Sequence, residues 1–320
     1  MVPPVKNLMI FINILSIILV LYWLYDKYLS IIEYYFCEYF YYSNITLKPS
    51  ESRNLLLLSN STMSTIGTYE HLNYALPILE NFLKPHDVKE ILVLKYATPD
   101  VRGGVDTKTF SKLNFEKVNN AFKKIGIKIN VLDTEAPDII QQSEIKNAEA
   151  IYIVGGNTFL LTKALHEKGI IDIMREKINS GTPVIGVSAG TNILCPTMQT
   201  TNDMPIFCLK SCNVLNSIPF QINVKYNNLS STIRGFTGET RDARLKEYLE
   251  NNRTFSSSSI PTFVLGLREG SMLHVSGDKA ELAGFKTRPA ELLMLDNNGT
   301  LVKKELAIGS RVDNLLHLQV

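Results

Sequence analysis

The sequence predicts an α/β protein: a doubly wound, mostly parallel sheet sandwiched by helices, preceded by an N-terminal hydrophobic segment. Three observations carry that expectation. From Leu55 onward, short apolar runs of strand length alternate with stretches of helical apolar spacing. The connections between them are short. Pro183-Val-Ile-Gly-Val-Ser-Ala-Gly190 reads as a buried strand, opened by Pro, that turns sharply into a helix. The 320 residues, 45% of them apolar, can bury one large core or two small ones.

The first fifty residues stand apart. Leu8 to Tyr25 carries no charge and is dominated by Ile, Leu, Val and Phe. As a helix it would cover about 27 Å, enough for a bilayer core. Tyr22, Trp23 and Tyr25 cluster at one end as an interfacial belt would, and no small-residue cleavage site follows. The expectation is a single-pass anchor at 8–25. Lys6 precedes it and Asp26, Lys27, Glu33 and Glu38 follow, which places the amino terminus in the cytosol. Asn44-Ile-Thr46 is a glycosylation sequon on the other side. A second apolar run, Tyr28 to Tyr42, is an interfacial helix or the anchor's continuation. If residues 1–50 are not in the mature protein, the remainder is cytoplasmic. Lys48–Arg53, polar and containing Pro49, is the linker, so the chain divides into 1–50 and 51–320.

The globular part opens with a strand at Leu55–Leu58, closed by the polar loop Ser-Asn-Ser-Thr62. Leu72, Leu76, Leu79 and Leu83 give Tyr69–Leu83 a helical spacing. Glu90–Ala97 is the next strand. Phe110–Ile125 is a helix stopped by Gly126, and Ile127–Leu132 alternates as a strand. Pro137–Asn147 is a helix and Ala150–Val154 a strand ending at Gly155-Gly156. Thr158–Lys168 and Ile170–Asn179 are helices stopped by Gly169 and Gly181, before the strand 183–187. Beyond Pro219 come a strand (220–224), an Arg-rich helix (239–250), a Ser-rich loop (256–259) and short strands at 262–267, 271–275 and 292–295.

Gly186-Val-Ser188-Ala-Gly190 fits G-x-S-x-G, in which a serine sits at the tip of a strand-to-helix turn. Small residues flank it because the turn crowds the backbone. The result is an exposed hydroxyl beside the next residue's N–H, close to a helix N-terminus. In doubly wound sheets ligands bind beyond the carboxyl ends of the strands, so the 59–62 loop, Gly155-Gly156-Asn157 and Ser188 should converge on one cleft. The N–H groups of Ala189 and of the Gly155-Gly156 turn suit an oxyanion hole, and Asn157 could position that loop. A net charge of +2 with scattered Lys and Arg gives no nucleic-acid footprint. Cys37, Cys195, Cys208 and Cys212 form neither a disulfide framework nor a zinc spacing, and no cofactor is expected.

Together, Leu55–Thr62, Gly155-Gly-Asn-Thr-Phe159, Gly186–Gly190, Cys195-Pro-Thr197 and Thr200-Thr-Asn-Asp-Met-Pro-Ile206 resemble peptidase E, the α-aspartyl dipeptidase family of serine peptidases. Gly238-Glu-Thr-Arg241 and Gly266-Leu-Arg-Glu-Gly270 extend the likeness. The resemblance implies a fold related to class I glutamine amidotransferases and hydrolysis of short peptides with an N-terminal aspartate. It implies Ser188 as nucleophile, Asp203 as the catalytic aspartate that orients the base, and Arg241 as the arginine holding the substrate's aspartyl carboxylate. The competing reading of Arg241 is a surface arginine paired with Glu239 or Asp242. Glu269 is a further site candidate.

The triad histidine should lie in a segment reading Gln-Ile-Asn-Pro-His-Phe. Here the segment is Gln221-Ile-Asn-Val-Lys-Tyr226, with Lys225 at the histidine position. A serine hydroxyl needs a base that is neutral at working pH. Lysine's reference pKa is about 10.4, and bringing it to about 7 costs roughly 4–5 kcal/mol. A carboxylate beside it would hold the ammonium charged instead. This favours reduced or absent triad catalysis over a Ser–Lys dyad. None of His71, His86, His166, His274 and His317 is read as a replacement base. The alternative to an active dipeptidase is a silent relative that binds acidic peptides or a protein partner in the same cleft. A third possibility is a divergent copy with no selected function.

Overall fold

Four consecutive leucines explain the centre of the molecule. In the computed structural model Leu55, Leu56, Leu57 and Leu58 are all fully buried, because their strand is flanked on both edges and covered on both faces. The structure describes residues 52–63, 70–98, 101–102, 105–227, 239–254 and 263–317.

In chain order, β1 (Asn54–Leu58) is followed by a 3₁₀ turn (Asn73–Ala75) and α1 (Leu76–Leu83), then β2 (Glu90–Leu94). A small hairpin, β3 (Val101–Arg102) and β4 (Val105–Asp106), leads into α2 (Thr107–Lys124) and β5 (Lys128–Val131). Next come α3 (Asp138–Asn147), β6 (Ala150–Ile153), α4 (Thr158–Glu167), α5 (Ile171–Asn179), β7 (Pro183–Val187) and the one-turn α6 (Ala189–Asn192). The last third holds β8 (Gln221–Val224), α7 (Arg241–Thr254), β9 (Phe263–Leu267), β10 (Ser271–Ser276), β11 (Lys279–Gly284), β12 (Ala290–Leu295) and β13 (Leu301–Leu306).

The main sheet has seven strands in the order β11-β10-β1-β7-β6-β2-β5. Its strands β1, β7, β6, β2 and β5 run parallel, and β10 and β11 close one edge antiparallel. The register pairs Leu58 with Val187 and Ile153 with Gly186, so the carboxyl ends of β1, β6 and β7 open side by side. A second sheet of four strands, β13-β12-β9-β8, has β8 and β9 parallel and the rest antiparallel.

Two expectations are corrected here. The chain does not extend one mostly parallel sheet through residue 295. β8, β9 and β12 form the separate second sheet, and β11 and β13 were missed. β13, Leu301-Val-Lys-Lys-Glu-Leu306, is largely polar and lies at a sheet edge where little apolar alternation is required, whereas β11, Lys279-Ala-Glu-Leu-Ala-Gly284, does alternate, with Ala280 and Leu282 buried between exposed Lys279 and Glu281. The membrane anchor is the second correction. Among the described residues no helix is long and apolar enough to cross a membrane. The longest, α2, carries Lys108, Lys112, Glu116, Lys117, Lys123 and Lys124. The stretch 8–25, on which that expectation rested through hydropathy alone, lies outside the described residues, as do the sequon at 44–46 and the loop 256–259. A smaller shift concerns the helix expected at 69–83: it begins at Leu76, where Pro77 suits a first-turn position whose N–H would be unpaired.

Candidate active site

The turn at Ser188 is forced by its neighbours. β7 ends at Val187, α6 starts at Ala189, and Ser188 between them takes φ 53° and ψ −108°. A left-handed backbone at a non-glycine residue costs on the order of 1–2 kcal/mol. The glycines on either side permit it. A Cβ on Gly186 would sit 2.6 Å from Gly190 O, and one on Gly190 would sit 2.3 Å from Ile153 O. The Ser188 N–H is held by Leu58 O at 3.0 Å, and Thr191 Oγ1 donates to that same carbonyl at 2.7 Å. Carboxyl-end residues of β1 and β7 are thereby tied together directly under the serine.

The Gly155-Gly156 turn lies against it. A Cβ on Gly155 would stand 3.1 Å from Ser188 Cβ and 3.8 Å from its Oγ, so a side chain there would crowd the hydroxyl. Gly156 packs on the turn after β2, where a Cβ would meet Ala97 O at 2.1 Å, and Asn157 N donates to that carbonyl at 2.8 Å. Asn157 caps α4, its Oδ1 accepting from Leu160 N at 3.0 Å. Ala189 opens α6, so its N–H has no partner within that helix. α6 has only four residues, so any help to an oxyanion comes from single N–H groups rather than from a long helix dipole.

Asp203 is fixed by donors from α4. Its Oδ2 accepts from Thr158 N and from Thr158 Oγ1, both at 2.6 Å, and from Thr201 Oγ1 at 3.3 Å. Buried Asn192 supports both threonines, its Nδ2 donating to Thr158 Oγ1 at 3.4 Å and to Thr201 Oγ1 at 3.2 Å. A carboxylate at a helix N-terminus with three donors is well satisfied. Thr158, Thr201 and Asn192 were not singled out from the sequence, although two of them sit inside the quoted motifs.

Lys225 follows β8, is exposed, and takes φ 51°. Its N–H donates to Ser59 Oγ at 2.8 Å. It forms no ion pair with Asp203. Their two segments are joined instead by asparagines. Asn202 Nδ2 donates to Val224 O at 2.6 Å, and Asn223 Nδ2 donates to Asn202 Oδ1 at 2.6 Å and to Thr200 O at 2.8 Å. These contacts join residues 21 to 23 apart, and nothing in their spacing announces them.

Arg241 is the first residue of α7 and half-buried; burial, then the Arg244 charge, lower its pKa. Neither expected carboxylate pairs with it. Glu239 binds Arg244 at 3.0 Å, while Asp242 accepts from Lys303 at 2.8 Å and from the Tyr226 hydroxyl at 2.6 Å. A cation at a helix N-terminus is unfavourable unless an anion joins it. Glu269 lies just past β9, whose Leu267 pairs with Val224, so Glu269 and Lys225 emerge at the same end of adjacent strands. Burial and then the Glu269 carboxylate push the Tyr74 phenol up.

The other titratable candidates are engaged elsewhere. His71 Nε2 pairs with Tyr152 OH at 3.1 Å; burial, then the Lys117 ammonium, lower its pKa to about 4. His166 Nε2 pairs with Asn213 O at 2.8 Å, and the His274 ring meets Phe82 edge-on. Burial pushes the Cys195 thiol up to about 12. Among the described residues no group of three His, Cys, Asp or Glu could hold a metal ion. A depression lined by Glu90, Leu92, Ile140, Glu144 and Glu149 lies at the amino ends of β2 and β6, away from Ser188.

The sequence pattern of peptidase family S51 matches residues 55–283. A peptidase E of Nostoc sp. is 41% identical over 238 residues, covering 74% of this chain and 88% of its own length. A peptidase E of Haemophilus influenzae is 39% identical, covering 73% and 97%. Among solved structures, a peptidase from an acI-B1 actinobacterium superposes with a TM-score of 0.56 over 81% of this chain and 96% of its own, at 14% identity, which speaks to the fold alone. By sequence, the chain belongs to peptidase family S51, the peptidase E family, and is a peptidase-like enzyme.

Proposed function

We propose that the chain is a serine peptidase of the dipeptidase E type, acting on short peptides with an N-terminal aspartate, and that position 225 limits its rate. The observation that carries this reading is Ser188 at φ 53°, on a turn that glycines permit on both sides and that Gly155 leaves open in front. Ser188 Oγ attacks the carbonyl carbon of the N-terminal aspartyl residue. The Ala189 and Gly155-Gly156 N–H groups receive the developing oxyanion. Arg241, with no partner among the described residues, takes the substrate's side-chain carboxylate as a bidentate pair. The peptide nitrogen leaves with a proton, and water then hydrolyses the aspartyl ester.

Proton transfer is the weak step. A lysine accepts the serine proton only in its neutral form, so the rate rises as pH is raised. The second reading, a silent relative that binds acidic peptides in this cleft, is favoured by one observation: Asp203 Oδ2 is bonded to α4 and the carboxylate forms no ion pair with Lys225. Hydrolysis of Asp-Leu, followed from about pH 6 to about pH 10, separates the two. An active wild type with a rising alkaline limb, silenced by Ser188→Ala, supports the peptidase. Activity that appears only in Lys225→His supports the silent relative, and no activity in either sinks the hydrolytic reading.

A further inference from the structure

Ser188 at φ 53° and Lys225 at φ 51° are both left-handed without being glycine. Consecutive residues at the carboxyl end of β1 take their backbone N–H groups. Leu58 O accepts from Ser188 N at 3.0 Å, and Ser59 Oγ accepts from Lys225 N at 2.8 Å. Ser59 is fully buried and fixed on several sides. Its hydroxyl donates to Leu267 O at 2.9 Å, which turns its lone pairs toward residue 225. Its own N–H donates to Ser271 O at 3.1 Å. Ser59 therefore touches β8 and β9 of the second sheet while continuing the central strand of the first.

We infer that Ser59 is the positioning residue for position 225. Its hydroxyl holds residue 225 in the left-handed conformation, and with Leu58 it sets residue 225 and Ser188 in one rigid frame. The two positions are then spaced by β1 rather than by contact between their side chains. The hydroxyl binds a backbone N–H, so the device is indifferent to which side chain stands at 225. That accounts for an otherwise intact site around a lysine where the family resemblance implies a histidine. The inference rests on the reading of Ser188 and position 225 as the reacting pair.

Ser59→Ala removes the acceptor while Leu267 O keeps its bond from Tyr226 N at 2.9 Å, so the strand pair β8–β9 survives. The test is a pair of crystal structures of the full chain, wild type and Ser59→Ala. Residue 225 is expected to leave the positive-φ region in the variant while Ser188 keeps its own. A residue 225 that stays near its original φ overturns the inference. The same variant is assayed in whichever of wild type or Lys225→His hydrolyses Asp-Leu. There kcat is expected to fall by roughly tenfold or more with KM within about twofold, and Ser59→Thr, which keeps the hydroxyl, is expected to restore it. An unchanged kcat also overturns the inference. If neither parent hydrolyses the peptide, the functional reading fails on its own and the backbone of residue 225 still decides the role of Ser59. Should Ser59→Ala not fold, Ser59→Cys, a poor acceptor of similar size, takes its place with the same two outcomes.

Discussion

The two halves of the site are held by different physics. The half around Ser188 is steric: Gly186, Gly190, Gly155 and Gly156 each stand where a Cβ would strike main chain or the serine itself. The half around Asp203 and Lys225 is a polar clamp, in which the side chains of Asn202, Asn223, Asp203 and Ser59 bond to backbone across the fold. A steric frame tolerates almost no substitution, because any added atom must displace close-packed neighbours. A clamp that grips backbone groups leaves the side chains it presents free to change. Lys225, at the position where the motif resemblance implies a histidine, falls in the second half.

The largest expected effect breaks the steric half. Gly190→Ala places a Cβ 2.3 Å from Ile153 O, on a strand that cannot shift without moving the sheet. Urea unfolding should show a loss upward of about 3 kcal/mol. A loss under about 1 kcal/mol would mean the turn is looser than its contacts imply.

Acid sharpens the comparison. His71 bonds Tyr152 on β6, the strand that leads into the Gly155 turn, so it belongs to the steric half. The unfolded chain takes its proton near pH 6.5, the folded chain only near pH 4. Between those values the unfolded state binds the extra proton. Stability from this group is therefore complete above about pH 6.5 and is lost as pH falls toward 4, by about 3 kcal/mol at most. His71→Gln should flatten that part of the stability–pH curve, measured by thermal melts across the window.

The smallest effect tests the clamp. Asn223 is buried, and Asn223→Ala removes its bonds to Thr200 O and Asn202 Oδ1, leaving both acceptors unpaired. A loss of about 2 kcal/mol is expected, with whatever fluorophosphonate labelling of Ser188 the wild type shows retained. Equal loss of stability and of Ser188 labelling would mean that the halves are one unit.

The elbow was legible because its cause is local. Pro183-Val-Ile-Gly-Val falls on β7 residue for residue, and the glycine spacing of the turn is a backbone requirement visible in five consecutive letters. The Gly155 turn was legible for the same reason. The clamp was not, because Asn223 and Asn202, or Ser59 and Lys225, meet only after strands have paired; the second bond spans 166 residues. The polar edge strand β13 was missed because the edge of a sheet asks little of apolar periodicity; β11 carries the alternation, but over only four residues and with a small alanine at one of the two buried positions.

By itself, then, the sequence determined which segments become central strands, where the chain turns at Ser188, and the family pattern carried by its motifs. Those properties follow from periodicity and from residues without side chains, which act within a few positions. Only the tertiary structure decided that the chain splits into two sheets, that Asp203 spends one oxygen on α4, and that Arg241 lacks both carboxylates expected beside it. Those outcomes depend on which hydrogen-bonding groups burial brings within about 3 Å of one another, a relation between distant residues that no local pattern encodes.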